Sequence, residues 1–278
     1  MTALDRRLNF RNSVLQYRPG GSAPAPAPIL IVDQSHPFFF DHALDHVPGL
    51  LLLEGAVQAA QHSARAPCFV ENIHAEFIKF AFFDAPITVH VTDVISWGRR
   101  ICSVELIQDD ILRARVNVVL SPILAPLAQS MGLIEKLTPC PGDLLNKERP
   151  ENVLITQPEI KKDRIKAHLL PMSGECLLSD SSRAVHPLYL LEAFMQVQRY
   201  LNATQDGDHR VRDILTGVKI EQSAPVATVS NVSIQGSRSF QPAAKGKMIR
   251  GASIRAGFTQ FAYCTIETAR LGKGRKST

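Results

Sequence analysis

PGLLLLEGAVQAAQHSA, residues 48–64, decides the fold. It is uninterrupted helix material of about four turns that opens on Pro-Gly and carries one carboxylate. Residues 29–32 precede it as an apolar strand, separated by a polar and aromatic turn over residues 33–45. Period-2, β-rich runs follow at residues 73–80, 87–96, 101–108 and 111–120. The pattern is one strand, one buried helix, then antiparallel strands.

The pattern then repeats. Residues 121–150 hold five prolines and read as a linker with one short helix at most. Residues 163–170 are strand-like. Residues 187–201, PLYLLEAFMQVQRYL, form a second helix with proline at its first position. Strands are expected at residues 214–220, 231–239, 247–256 and 260–269. Leu52-Leu53-Glu54 matches Leu190-Leu191-Glu192 at an offset of 138, and the same offset carries Gln58 onto Gln196. This predicts a first copy over residues 1–125, a Pro-rich linker over 126–152, a second, degenerate copy over 153–270 and a basic tail over 271–278. A lone helix-and-sheet unit leaves a strand edge to cover. Two copies joined edge to edge, with the helices side by side, meet that need.

Composition narrows the function. The chain has 278 residues, 45% hydrophobic and 21% charged, which suits globular cores. No window approaches eighteen uninterrupted apolar residues and the N-terminus has no signal-like stretch, so no membrane partner and a cytoplasmic location are expected. Cys68, Cys102, Cys140, Cys176 and Cys264 are scattered without C-x-x-C spacing. They read as buried or idle thiols, not as a disulfide framework or zinc site. Net charge is +5. It suits an acidic partner, such as a carrier protein or a phosphorylated substrate. The pI of about 9 and the basic tail alone hint at nucleic acid, and without a recognition motif none is expected.

Both helices set Glu, then Gln four residues later, on one face of an apolar segment. One reading is a helix edge that reaches solvent. The other is a functional carboxylate, and its recurrence in both halves favours it. Upstream of the first helix lies HPFFFDHALDHVPG, with His36, His42 and His46 beside Asp41 and Asp45. Such a cluster can bind zinc, cap and pack the turn, or supply a general base at a helix N-terminus. The metal reading is weakest, because His42 and His46 precede the helix and are out of helical register. In the last reading, free N–H groups near Gly49 hold a developing oxyanion while imidazole moves a proton.

The stretch HPFFFDHALDHVPGLLLLEGAVQAA resembles the signature of the A-factor synthase family, a variant of FFFDHPLDHVPGMLLLEAARQA. It is similar, more distantly, to the 3-hydroxyacyl-carrier-protein dehydratases, which carry GHFP, a Pro-Gly and an EAMAQ-type helix. The resemblance implies a tandem double hotdog of the α+β class, each copy a long helix wrapped by an antiparallel sheet. It implies an acyltransferase that moves a β-ketoacyl chain from an acyl-carrier-protein thioester to a hydroxyl of a small phosphorylated acceptor such as dihydroxyacetone phosphate, towards a butyrolactone or butenolide signal. No cofactor or metal is called for. A hotdog dehydratase or thioesterase, or a non-catalytic acyl-binding module, is the alternative.

By the same resemblance His42 is the base, paired across the copies with Glu192. Glu54 belongs to a mirror site with Asp180, which takes the place of His42 in the second copy and leaves that site without an imidazole. Gly49, His46, Gln58, Gln196 and Asp180 are expected to contact substrate. Arg99, Arg100, Arg113 and Arg115 are expected to form a docking surface for the carrier protein. Two departures from the family stand out. Val57 and Met195 occupy the position of the family's helical Arg, and the copy carrying DHVPG comes first, not second.

Overall fold

Leu51, Leu52 and Leu53 are all buried, so helix α1 (Gly49–His62) must lie inside the molecule and not on it. Each such side chain contributes about 2 kcal/mol when taken from water. The computed structural model describes residues 13–17, 26–64, 68–123, 137–171, 185–204, 213–226, 231–243 and 246–270. The basic tail, much of the Pro-rich linker, Cys176 and Asp180 lie outside them. Helix α2 (Pro187–Thr204) is the second helix; most of its residues are buried, as befits an element enclosed on several sides.

The first half contributes strands β1 (Leu15–Gln16), β2 (Ile29–Leu30), β3 (Cys68–Phe77), β4 (Ile87–Ser96), β5 (Arg99–Gln108) and β6 (Ile111–Pro122). The second contributes β7 (Glu159–Lys161), β8 (Arg164–His168), β9 (Asp213–Gln222), β10 (Val232–Ser237), β11 (Gln241–Pro242), β12 (Lys247–Ala256) and β13 (Thr259–Arg270). The described strands form one sheet in the order β1-β2-β4-β5-β6-β3-β9-β13-β12-β10-β8-β7, with β11 on β12. Each described pairing is antiparallel.

The order reads alike from the centre outwards: β3, β6, β5, β4 on one side and β9, β13, β12, β10 on the other. The seam is the β3–β9 ladder, where Asn72 faces Glu221, His74 faces Lys219 and Glu76 faces Gly217. A side chain at Gly217 would stand 3.1 Å from the carbonyl oxygen of Ala75 across this seam. Helix α1 packs on β3, β4, β5 and β6 and also touches α2. The continuous sheet and adjacent helices expected from the repeat are therefore present.

The Glu-x-x-x-Gln pattern has a structural cause in both halves. Gln196 accepts the N–H of Leu154 (2.9 Å) and donates to the carbonyl of Asn152 (2.7 Å) and to Glu192 (3.2 Å). Gln58 likewise accepts the N–H of Val14 (3.0 Å) and donates to Glu54 (2.7 Å). Each glutamine clamps the chain that enters its own half. Gln196, expected to contact substrate, is fully buried, with its amide on backbone and on Glu192. Gln58 does the same work nearer the surface.

These clamps differ in what their loss strands. Gln196→Leu leaves a buried N–H and a buried C=O unpaired, at about 1–3 kcal/mol each. Gln58→Leu leaves the N–H of Val14 unpaired at a part-buried site, where water can reach it more easily. Urea denaturation should therefore show the larger loss in Gln196→Leu. Equal losses would contradict the clamp assignment.

Candidate active site

The three histidines of the 36–46 loop have different surroundings. His36 turns its ring back on its own loop: Nδ1 accepts the N–H of Phe38 (3.2 Å) and Phe39 (3.4 Å). That is the capping role. His46 pairs with Asp45 (2.6 Å) and sets its ring edge on Phe80, a surface arrangement that supplies no substrate contact by itself. In His42, Nδ1 is buried and has no hydrogen-bond partner among the described residues. Burial holds its pKa below the ordinary imidazole value, and the cations Arg199 and Lys147 push the same way, against Asp41 and Glu148. His42 also lines an open hollow of about 320 Å³ with Gln34, Phe40, Asp41, Glu148 and Arg149.

The loop runs into α1 through Pro48, which is extended and offers no side-chain cap. The first donor with an acceptor along this helix is Leu51, bonded to the carbonyl of Pro48 (3.0 Å). The N–H groups of Gly49 and Leu50 lie ahead of that point, where helices leave donors unspent. The Phe77 ring lies 3.1 Å from where a Cβ at Gly49 would stand, so glycine lets the ring close over this end.

Glu192 lies on α2 and is buried. Its Oε1 receives Arg199 (2.6 Å), Lys147 (3.0 Å) and Gln196 (3.2 Å). Burial raises its pKa, but Arg199 and Lys147 outweigh burial and lower it to about 2. Lys147 is also 3.8 Å from Asp41, the neighbour of His42. Asp41 accepts the N–H groups of Glu148 (3.2 Å) and Arg149 (3.1 Å), while Asn152 donates to the carbonyl of Pro37 (2.8 Å). Segment 147–152 is thus held between the histidine loop and α2. His42 and Glu192 belong to one charge cluster, but two cations stand between their roles and they share no hydrogen bond.

The other side needs a correction. Glu54 was expected to face Asp180 with no imidazole present. Instead His186 places Nε2 3.3 Å from Glu54 Oε2, with both side chains buried. His186 Nδ1 accepts the N–H of Leu188 (3.2 Å), which puts the ring proton on Nε2, while Glu54 Oε2 accepts no hydrogen bond among the described residues. Its carbonyl accepts Tyr189 (3.0 Å), and Pro187 has no N–H to offer. Among the described residues the donors at the start of α2 are therefore spent, whereas the N–H groups of Gly49 and Leu50 at the start of α1 have no backbone acceptor. Asp180 lies outside the described residues.

The arginines expected to dock a carrier protein differ in their surroundings. Arg113 is buried, with its guanidinium on the carbonyl of Phe80 (2.8 Å). Arg99 pairs with Glu71 (3.0 Å), Arg115 with Glu105 (2.9 Å) and Arg100 with Asp93. Arg113 is thus spent on backbone, while Arg99 and Arg115 are exposed and each is paired with a carboxylate of the same sheet. The buried-thiol expectation holds for Cys102, Cys140 and Cys264.

Known proteins bear on this geometry. Residues 29–118 match the A-factor biosynthesis hotdog domain. That segment carries β2, the histidine loop, α1 and nearly all of β3–β6, and stops before Lys147, Glu192 and Arg199. Within the curated proteins, the chain is 45% identical over 58 residues to the 2-oxo-3-(phosphooxy)propyl 3-oxoalkanoate synthase of Streptomyces virginiae, 20% of each chain. It is 45% identical over 64 residues to the Streptomyces coelicolor protein of the same name, 23% of this chain and 20% of that one. The match thus spans about a fifth of the length of these relatives. Solved structures extend the hotdog likeness over both halves. The dehydratase domain from the CurJ module of curacin polyketide synthase has a TM-score of 0.55 at 14% identity, over 91% of this chain and 94% of that one. A thioesterase II from Thermobifida fusca has 0.56 at 11%, over 94% and 97%. At such identity they show the fold alone. Among the described residues no helix is long and apolar enough to cross a membrane.

Outside the A-factor hotdog segment, Arg199, Lys147 and His186 went unread in the sequence. Arg199 sits seven residues after Glu192, two turns along one helix face, and this spacing was its signal. Lys147 offers none.

Glu192 also sets an energetic expectation. Glu192→Gln leaves the buried Lys147 with Asp41 as its remaining carboxylate, and one-sided removal of a buried pair costs about 3–5 kcal/mol. The variant therefore should be less stable than wild type. Because the folded pKa lies below the unfolded one, the stabilisation is full above the ordinary carboxylate range and is lost as pH falls towards about 2. Denaturation of wild type and variant should converge over that window. A constant gap from neutral pH down to about 2 would refute the assignment.

Proposed function

We propose that the chain is two hotdog copies in one polypeptide, and that it transfers a β-ketoacyl chain from a carrier-protein thioester to a hydroxyl of a phosphorylated three-carbon acceptor. The observation that carries this is His42: a buried ring nitrogen without a partner among the described residues, held neutral, in the loop that runs into an uncapped helix start. The match to the A-factor hotdog domain over the same residues, and the phosphooxypropyl ester in the names of two relatives, support the choice of acceptor.

Neutral imidazole at His42 takes the proton of the acceptor hydroxyl as its oxygen attacks the thioester carbonyl. The carbonyl oxygen becomes an oxyanion, for which the Gly49 and Leu50 N–H groups are the candidate donors. Collapse of the tetrahedral intermediate breaks the C–S bond, and the thiolate takes the proton from the imidazolium. Ester and free thiol result, and no redox partner is needed. Glu192 serves this site through Arg199 and Lys147. On the other side His186 has its ring fixed by Leu188 and α2 offers no open donors, so one active site per chain is expected.

The test is mass spectrometry of the product from a β-ketoacyl thioester and dihydroxyacetone phosphate. A new phosphorylated ester supports the reading. A trans-enoyl chain from a 3-hydroxyacyl thioester, or free acid alone, would mean a dehydratase or thioesterase instead. His42→Ala should lower kcat by about a hundredfold to ten-thousandfold while the circular dichroism spectrum is kept. Glu54→Gln should retain more activity than Glu192→Gln, and the reverse order would place the chemistry on the Glu54 side.

The pH profile gives a second check. A base with a lowered pKa stays active below the ordinary imidazole value and fails as pH falls through its own. The acid limb of kcat/KM should therefore lie below about 6.5. A limb at or above that value would exclude His42 in its observed environment as the base.

A further inference from the structure

Lys147 is built into place by its own segment. Residues 142–145 form a 3-10 turn that ends on Asn146 in the left-handed conformation (φ 52°). The N–H of Lys147 returns to the carbonyl of Gly142 at 2.9 Å. A Cβ at Gly142 would stand 2.7 Å from the carbonyl oxygen of Lys147, so only glycine allows this closure. The turn rests on α2. From it the Lys147 side chain, 5% exposed, reaches Glu192 at 3.0 Å and Asp41 at 3.8 Å, with its Nζ 5.8 Å from the centre of the Phe38 ring. A lysine so deeply buried is costly unless each neighbour compensates its charge. Its neighbours are the residue next to His42 and the carboxylate of the opposite half.

We propose that Lys147 is a positioning residue: supplied by the segment between the two halves, it ties the Asp41–His42 loop to Glu192 on α2 and so fixes where His42 stands. The proposal rests on the reading of His42 as the base. Lys147 need not touch substrate. It acts through Asp41, whose carboxylate also collects the backbone N–H groups of Glu148 and Arg149, and through its charge. The charged groups that bear on His42 are Arg199 from α2, Lys147 and Glu148 from the intervening segment, and Asp41 from its own loop. Loss of one of the two cations leaves the two carboxylates to favour the imidazolium. The base would then be both displaced and more often protonated.

The experiment uses the full chain and two readouts. Ring resonances of His42, assigned by comparison with His42→Gln, are titrated by NMR in wild type, Lys147→Met and Lys147→Arg. Transfer kinetics are measured on the same proteins. Expected is a higher His42 midpoint in Lys147→Met and an unshifted one in Lys147→Arg. In Lys147→Met kcat should fall by roughly tenfold to a hundredfold, the scale of a small misplacement of a reacting group, with little change in KM. Lower thermal stability with an unmoved His42 midpoint would make Lys147 a fold residue only and overturn the proposal. Should Lys147→Met fail to fold, Gly142→Ala keeps every charge but displaces the Lys147 backbone. A loss of kcat there supports the proposal, and wild-type kcat overturns it. If wild type makes no ester while the His42 midpoint still moves in Lys147→Met, the positioning of His42 stands and the transfer reading falls.

Discussion

Everything in this molecule hangs on the ladder between β3 and β9. A single helix wrapped by four or so strands ends in an unpaired edge, and hydrogen-bonding groups along that edge need partners. Here the edge of one half is the partner of the other. The register, with Ile73 opposite Ile220 and Ala75 opposite Val218, places apolar pairs at the seam. It also brings α1 and α2 into contact under one sheet. Neither helix could be so thoroughly buried without the opposite half, and the groups around Glu192 would not lie near the 36–46 loop.

Once the halves are joined, electrostatics organises what lies between them. Two buried carboxylates, Asp41 and Glu192, face one buried lysine and one half-buried arginine. The two cations favour the ionised form of Glu192, whose pKa they depress. His42 sits beside this set without entering it by a hydrogen bond. Its neutrality follows from the company it keeps: removal from water disfavours its cation, and so do the nearby positive charges. The polar turn, the intervening segment and the second helix thus form one charge-matched interior and not three separate features.

Much of the architecture was legible because its signals are local. Helix start at Pro-Gly, proline at the first position of α2, and period-2 runs for β4 and β12 all follow from nearest-neighbour chemistry. Short β1, β7 and β11 escaped, since two or three residues carry no period. The backbone clamps of the glutamines were not legible for another reason: Gln196 is satisfied by backbone some forty positions away, and no spacing on the helix announces such a partner. His186 was missed because matching the two halves on their helices sets Asp180 opposite His42, and the turn leading to α2 differs in shape from the one leading to α1. Lys147 came from a segment read as a linker, where composition says loop and nothing more.

That segment has a consequence for symmetry. Two identical subunits paired through such a seam would carry two equivalent clefts, related by a twofold axis, with the same groups in each. A covalent connection occurs once. It runs on one side of the axis, and whatever it delivers reaches one cleft alone. Segment 142–154 delivers a lysine and two backbone donors to the cleft at Asp41, while the opposite cleft has His186 on Glu54. Among the described residues the two sides therefore differ in what meets the helix carboxylate: a lysine and an arginine at Glu192, an imidazole at Glu54.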